Sequence, residues 1–187
     1  MKYTLLVISM LAILSCKQHD SPNVQTAPTQ LGTEEVATQN GDLNETTSIE
    51  DVTFKTEEAS QIHKAYLSLK GALVNTDALE AAQKAITFKE IIESHTVSDI
   101  TTNLRADLNT IALQKDAAAQ RVAFENISKN VEVYLSSELA SGIMYKQYCP
   151  MAFEGKGAYW LSNSPEIRNP YYGDKMLKCG VVDKEIK

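Results

Sequence analysis

From residue 57 onward, apolar positions recur at helical spacing. Ile62, Tyr66, Leu69 and Leu73 stand three or four apart and share one side of a helix. Asn75-Thr76-Asp77 interrupts that stripe. Asp77 with Glu80 three residues on is a capping-box-like start for a second helix, whose expected buried side is Leu79, Ala82, Ile86 and Ile91 before an end near Ser94-His95. A third stripe, Ile100, Leu104, Leu108 and Ile111, follows Ser98-Asp99. Gln114-Lys115-Asp116 breaks its phase, and a fourth carries Val122 or Phe124, Ile127, Val131, Tyr134, Leu135 and Leu139. Connections this short force successive helices antiparallel. The expected fold class is therefore mainly α, an up-down four-helix bundle over residues 57–141 with a small C-terminal β/turn-rich extension.

The extension, residues 142–187, changes period. Ile143 to Tyr148 and Ala158 to Ser162 are aromatic-rich and alternating, and Gly155, Gly157, Pro165, Asn169-Pro170 and Gly173 punctuate them as turns. Short strands fit this pattern. About 45 residues bury too little apolar surface to fold alone, so the extension is expected to pack on the bundle.

Upstream of the bundle the pattern is of two other kinds. Residues 1–15 read as a lipoprotein signal peptide: Lys2 supplies a charge, Leu5 to Leu14 is apolar, and Ile13-Leu14-Ser15-Cys16 resembles a lipobox in which Cys16 is acylated. Acyl chains at Cys16 would hold the chain to a membrane at about 0.8 kcal/mol per buried methylene. Residues 16–56 then read as the acylated Cys and a polar, disordered tether, since Val24, Leu31, Val36 and Leu43 keep no period.

Composition trims the function classes. With 18 basic and 24 acidic residues the net charge is -6, and no basic stripe exists to neutralise a phosphate backbone, so no nucleic-acid partner is expected. The sequence lacks G-x-S-x-G, G-x-x-x-x-G-K, H-E-x-x-H and C-x-x-C. Its three histidines are His19 in the tether, His63 beside the first stripe and His95 at a helix end. None adjoins a recognisable nucleophile or acid in sequence, and the chain is not expected to be an enzyme.

The remaining chemistry is soft sulfur. Cys149-Pro150-Met151 and Met176-Leu177-Lys178-Cys179 supply two thiols and two thioethers. Pro150 biases Cys149 to an extended conformation, in which Cys149 and Met151 would point the same way, and Met176 and Cys179 share a side if their stretch turns. Such a set suits Cu(I) or Ag(I) and suits Ca, Mg or Mn poorly. Two other readings stay open. In an oxidising compartment Cys149 and Cys179 would form a disulfide, contributing about 3 to 4 kcal/mol by closing a loop of some 30 residues, or they would be inert buried thiols. In the metal reading, Trp160, Tyr148, Tyr159, Tyr171 and Tyr172 form an apolar collar, and Arg168 with Asp174 is a candidate ion pair.

The tail strings Tyr148-Cys149-Pro150-Met151-Ala152, Gly157-Ala158-Tyr159-Trp160-Leu161-Ser162, Glu166-Ile167-Arg168-Asn169-Pro170-Tyr171-Tyr172-Gly173-Asp174 and Lys175-Met176-Leu177-Lys178-Cys179-Gly180 carry a resemblance. They are similar to an uncharacterised domain family of Bacteroidetes lipoproteins, also attached to periplasmic adaptors of heavy-metal efflux systems. The chain is too short to hold the hairpin and barrel of such an adaptor. The adaptors' separate metal modules resemble C-P-M-H-P, whereas Ala152 follows Met151 here and brings no imidazole. The resemblance implies a lipid-anchored protein of the bacterial cell envelope, facing the periplasm or the outer-membrane surface, with heavy-metal efflux components as partners. The expected function is to bind Cu(I) or Ag(I) through Cys149, Met151, Met176 and Cys179, for buffering or transfer in heavy-metal homeostasis. The alternative is a non-enzymatic protein-interaction module closed by a Cys149–Cys179 disulfide and needing no cofactor.

Overall fold

A computed structural model describes residues 41–95 and 99–187. The signal peptide, Cys16 and His19 lie outside the described residues. Four helices, α1 (Glu57–Val74), α2 (Ala78–Ser94), α3 (Asp99–Leu113) and α4 (Ala117–Glu138), each pack on the next, and α1 also packs on α4. This is the up-down bundle. Its helix starts are fixed by local chemistry: Thr56, Asp77 and Asp116 each accept a hydrogen bond from the backbone N–H three residues on. These caps satisfy donors that a helix start would otherwise leave open. At one end of the bundle the Gln120 side chain, fully buried, donates to the carbonyls of Ala78 at 2.8 Å and Gln114 at 3.1 Å, tying α4 to the flanking turns.

The stripes of α1, α3 and α4 lie where periodicity puts them. Ile62, Tyr66, Leu69, Leu73, Leu104, Leu108, Ile111, Phe124, Ile127, Val131 and Leu135 are buried, and of the two α4 alternatives Phe124 is inside while Val122 is exposed. The face of α2 is different from the expected one. Ala81, Ala85, Phe88 and Ile92 are buried, whereas Leu79 is 75% and Ile86 45% exposed. Both sets keep helical spacing, and the helix turns its alanines inward because small side chains let its backbone approach its neighbours.

Beyond α4 the chain forms β2 (Leu139–Ser141), β3 (Met144–Cys149), β4 (Ala158–Ser162) and, after a 3₁₀ turn at Gly173–Met176, β5 (Val181–Ile186). β3 is the centre of an antiparallel sheet of order β4-β3-β5. β5 had no sequence signal: five of its six residues are exposed, as an edge strand allows. Tyr66 joins sheet to bundle. Its hydroxyl accepts from the Leu161 N–H at 3.0 Å and shares a hydrogen bond with Ser128 Oγ at 2.8 Å, while its ring stacks on Phe124. Buried residues of the helices and of β3, β4 and β5 form one continuous core.

The ordered unit also starts earlier than expected. Residues 41–56, placed by composition in the tether, lie along the domain. β1 (Thr53–Phe54) pairs with β2, Leu43 N–H donates to Asn75 Oδ1, and Glu166 accepts from the Thr47 N–H at 2.8 Å. Those hydrogen bonds hold the segment where few apolar residues are available.

Candidate functional site: a thiol pair at the edge of the C-terminal sheet

Cys149 is the last residue of the central strand β3, and Cys179 stands two residues before β5. Antiparallel pairing aligns Tyr148 with Val181, which carries the two cysteines toward each other. Their sulfurs are 3.5 Å apart, with Cys149 fully buried and Cys179 half-buried. Two other residues make this approach possible. Gly180 has φ +151°, and a Cβ there would lie 2.9 Å from the Trp160 ring and 2.9 Å from the Tyr148 carbonyl oxygen. No other residue passes that point without displacing them.

Asn169 is the second. It is fully buried, its side-chain N–H donates to the Cys179 carbonyl at 2.8 Å, and its backbone N–H donates to the Leu177 carbonyl at 2.9 Å. Its side-chain oxygen accepts from the Tyr171 N–H at 2.8 Å. Sequence reasoning treated Asn169-Pro170 only as a turn. An Asn side chain that bonds the backbone two residues on is the usual chemistry of such turns, and that signal was legible.

Burial pushes the Cys179 thiol up, and the hydrogen bond and charge of Cys149 push the same way. A thiol so held is a poor nucleophile, because the thiolate is the reactive form. Its redox partner is in place. The bond between sulfurs is about 2.05 Å long, so closure needs an approach of about 1.5 Å.

The thioethers are placed differently from the expectation. The strand ends at Cys149, and Met151 has helical backbone angles (φ -86°, ψ -12°), so the alternation that would align Met151 with Cys149 is lost. Met151 is 51% exposed, and its carbonyl accepts from the Tyr172 hydroxyl at 2.6 Å. Met176 is 36% exposed, and its carbonyl accepts from the Cys179 N–H at 3.0 Å, so that stretch does turn. The structure thus brings the two thiols together and leaves both methionines open to solvent.

The expected collar divides. Trp160 and Tyr171 belong to the core, meeting edge to face at 6.0 Å, and Tyr148 pairs with Tyr159 across the strands at 4.5 Å. Tyr172 lies over the turn that follows Cys149. Arg168 does not pair with Asp174. It bonds Glu166 at 3.1 Å and the Glu45 carbonyl at 2.8 Å, helping to hold the N-terminal segment. The charge of Asp174 acts instead on Arg121.

Between α4 and the turn after Cys149 is a cleft of about 460 Å³, lined by Arg121, Val122, Phe153, Tyr171 and Tyr172 among others. Phe153 (φ +51°) and Glu154 (φ +60°) in that turn both occupy the left-handed region that non-glycine residues rarely adopt. Paired strain of this kind persists only where the surroundings impose it, and it gathers at binding sites. The Arg121 guanidinium is fixed by the carbonyls of Pro170 at 2.7 Å and Leu73 at 3.1 Å.

No curated protein and no solved structure matches the chain. Residues 62–141, which run from the first turns of α1 to the end of β2, match the family model described as "Protein of unknown function (DUF3347)". An uncharacterised domain family is therefore present, and its match covers the bundle and stops short of the sheet that holds the thiol pair.

Proposed function

We propose that the chain is a membrane-tethered, non-enzymatic binding module of the bacterial cell envelope, closed by a Cys149–Cys179 disulfide, whose cleft between α4 and the turn after Cys149 receives a partner of heavy-metal efflux. The single observation carrying this reading is the 3.5 Å separation of the two sulfurs at the point where β5 joins β3. A covalent bond there pins an exposed edge strand to the centre of the sheet and steadies the strained turn that begins one residue after Cys149. The upward shift of the Cys179 thiol speaks for a structural pair over a nucleophile.

A second reading keeps the pair reduced and loads it with Cu(I) or Ag(I). What favours it is the same distance: sulfurs 3.5 Å apart fit two bonds of about 2.3 Å meeting at roughly 100°, close to tetrahedral. Cys149 and Cys179 would bind the ion first, with Met151 and Met176 as the thioether donors.

The test is alkylation mapping of Cys149 and Cys179 in the full chain isolated from the envelope, before and after reduction, with Cu(I) competition against a chelator on the reduced protein. Both thiols blocked before reduction and free after it is the expected result. Thiols that are free as isolated and compete with the chelator replace the first reading by the second. Met151→Leu and Met176→Leu would then weaken binding, since leucine keeps the volume and removes the donor.

A further inference from the structure

The cleft between α4 and the turn after Cys149 carries a charge that the fold leaves without a counterion. Arg121, half-buried in its wall, donates through Nε to the Pro170 carbonyl at 2.7 Å. Through Nη2 it donates to the Leu73 carbonyl at 3.1 Å and to Thr76 Oγ1 at 3.0 Å. All three acceptors are neutral. Among the described residues no carboxylate comes within ion-pair distance of Arg121, and the charges of Asp174 and Asp116 reach it only from farther off. Its third nitrogen, Nη1, donates to nothing among the described residues. That nitrogen is open to solvent, since the buried side-chain atoms without a partner all lie on other residues. A partly desolvated guanidinium normally meets an anion. Here three bonds fix its plane in advance, so Nη1 can take one without a long side chain being ordered afresh.

The rest of the cleft is apolar. Ala118 and Val122 line it from α4, and Ala152, Phe153 and Tyr172 from the C-terminal region. Val122 is 56% exposed, and Tyr172 already gives its hydroxyl hydrogen to the Met151 carbonyl, so what it offers a ligand is its ring. Two further charges, Glu154 and Lys156, are exposed at the rim and offset each other. One fixed positive charge against apolar and aromatic surface suits a singly charged carboxylate that stands next to a large apolar group. A phosphate, more heavily hydrated, would leave oxygens unpaired against alanine and aromatic carbon.

We propose that the partner received by this cleft enters it with a short segment in which a carboxylate stands beside a large apolar side chain. The carboxylate bonds Arg121 Nη1, and the apolar side chain lies against Val122, Phe153 and the Tyr172 ring. This rests on the reading of the cleft as the docking site. An acidic side chain and the end of a chain are two sources of the same carboxylate.

Calorimetric titration of the full chain with acetyl-Gly-Phe, acetyl-Asp-Phe-amide, acetyl-Gly-Phe-amide and inorganic phosphate tests this, with Cys149 and Cys179 mapped by alkylation on the same sample. At least one of the first two probes should bind, acetyl-Gly-Phe indicating a chain end and acetyl-Asp-Phe-amide an acidic side chain. Acetyl-Gly-Phe-amide, which has no carboxylate, should bind about tenfold more weakly. Arg121→Gln should remove that difference. Because this change also strips the Pro170 and Leu73 carbonyls of their donor, Val122→Glu is the second variant. It sets a negative charge in the cleft from an exposed helix position and should weaken the carboxylate probes by about tenfold with little change in the urea midpoint. No binding of either carboxylate probe at millimolar concentration, equal binding of the amide, binding of phosphate in their place, or unchanged binding by Val122→Glu overturns the proposal. Blocked thiols without binding remove this inference and leave the disulfide closure standing, and binding with free thiols does the reverse.

Discussion

Lowering the pH from 7 to 4 forces a proton toward His63, and the structure sets what that costs. His63 is 7% exposed, its ring lies 5.0 Å from that of Phe54, and its Nε2 has no hydrogen-bond partner among the described residues. Burial, then the charges of Lys70 and Lys64, lowers its pKa from 6.5 to about 4. Between those values the unfolded chain holds a proton that the folded one refuses. Stability is therefore fully present above about pH 6.5 and declines as the pH falls to about 4, where the loss levels off. A shift of about 2.5 units at 1.36 kcal/mol each, integrated from pH 7 to 4, gives a loss of about 3 kcal/mol. Urea denaturation at both pH values, on the parent chain and on His63→Leu, isolates this amount, because titrating carboxylates such as Glu166 contribute equally to both proteins. Leucine has a similar volume and no orphaned nitrogen. The parent should lose about 3 kcal/mol more than the variant. Equal losses would refute the idea that the segment at residues 41–56 seals His63 as a neutral group.

Three further outcomes follow from the packing. Oxidised protein should exceed both its reduced form and Cys179→Ser by about 3.5 kcal/mol in denaturant unfolding, the loop-closure value for some 30 residues, and a gain below about 1 kcal/mol would refute loop closure as the source of its stability. Tyr66→Phe should cost about 1 to 3 kcal/mol, because it strips the Leu161 N–H and Ser128 Oγ of their buried partner, and a neutral result would mean the sheet is not held there. On α2, Ala85→Leu should destabilise by about 1 to 3 kcal/mol through overpacking, while Leu79→Gln should stay within about 0.5 kcal/mol, and the reverse order would restore the face the larger residues suggest.

The stripe through Ile62, Tyr66, Leu69 and Leu73 was readable because large apolar residues at one spacing leave a single face to bury. α2 misled because it offers two such faces, and the choice between them depends on how near the other helices come, which no local pattern records. Met151 was misplaced by a similar limit: the extended geometry expected around Pro150 stops at Cys149, where the strand pairing ends. β5 escaped notice because an edge strand open to water needs no apolar alternation.

The amino-acid order by itself determined the four helices, their caps and the two strands rich in aromatics, since these rest on periodicity and on contacts within a few residues. It also supplied two cysteines thirty positions apart without saying that they meet. Tertiary structure alone decided that meeting, through the register of β5 on β3 and the close passage of Gly180 over Trp160. It decided the burial of His63 and Lys70 as well, because the polar segment that covers them is held by Glu166 and Asn75, partners about 120 and 30 residues away. Groups brought together over such separations leave no mark in any short window of sequence.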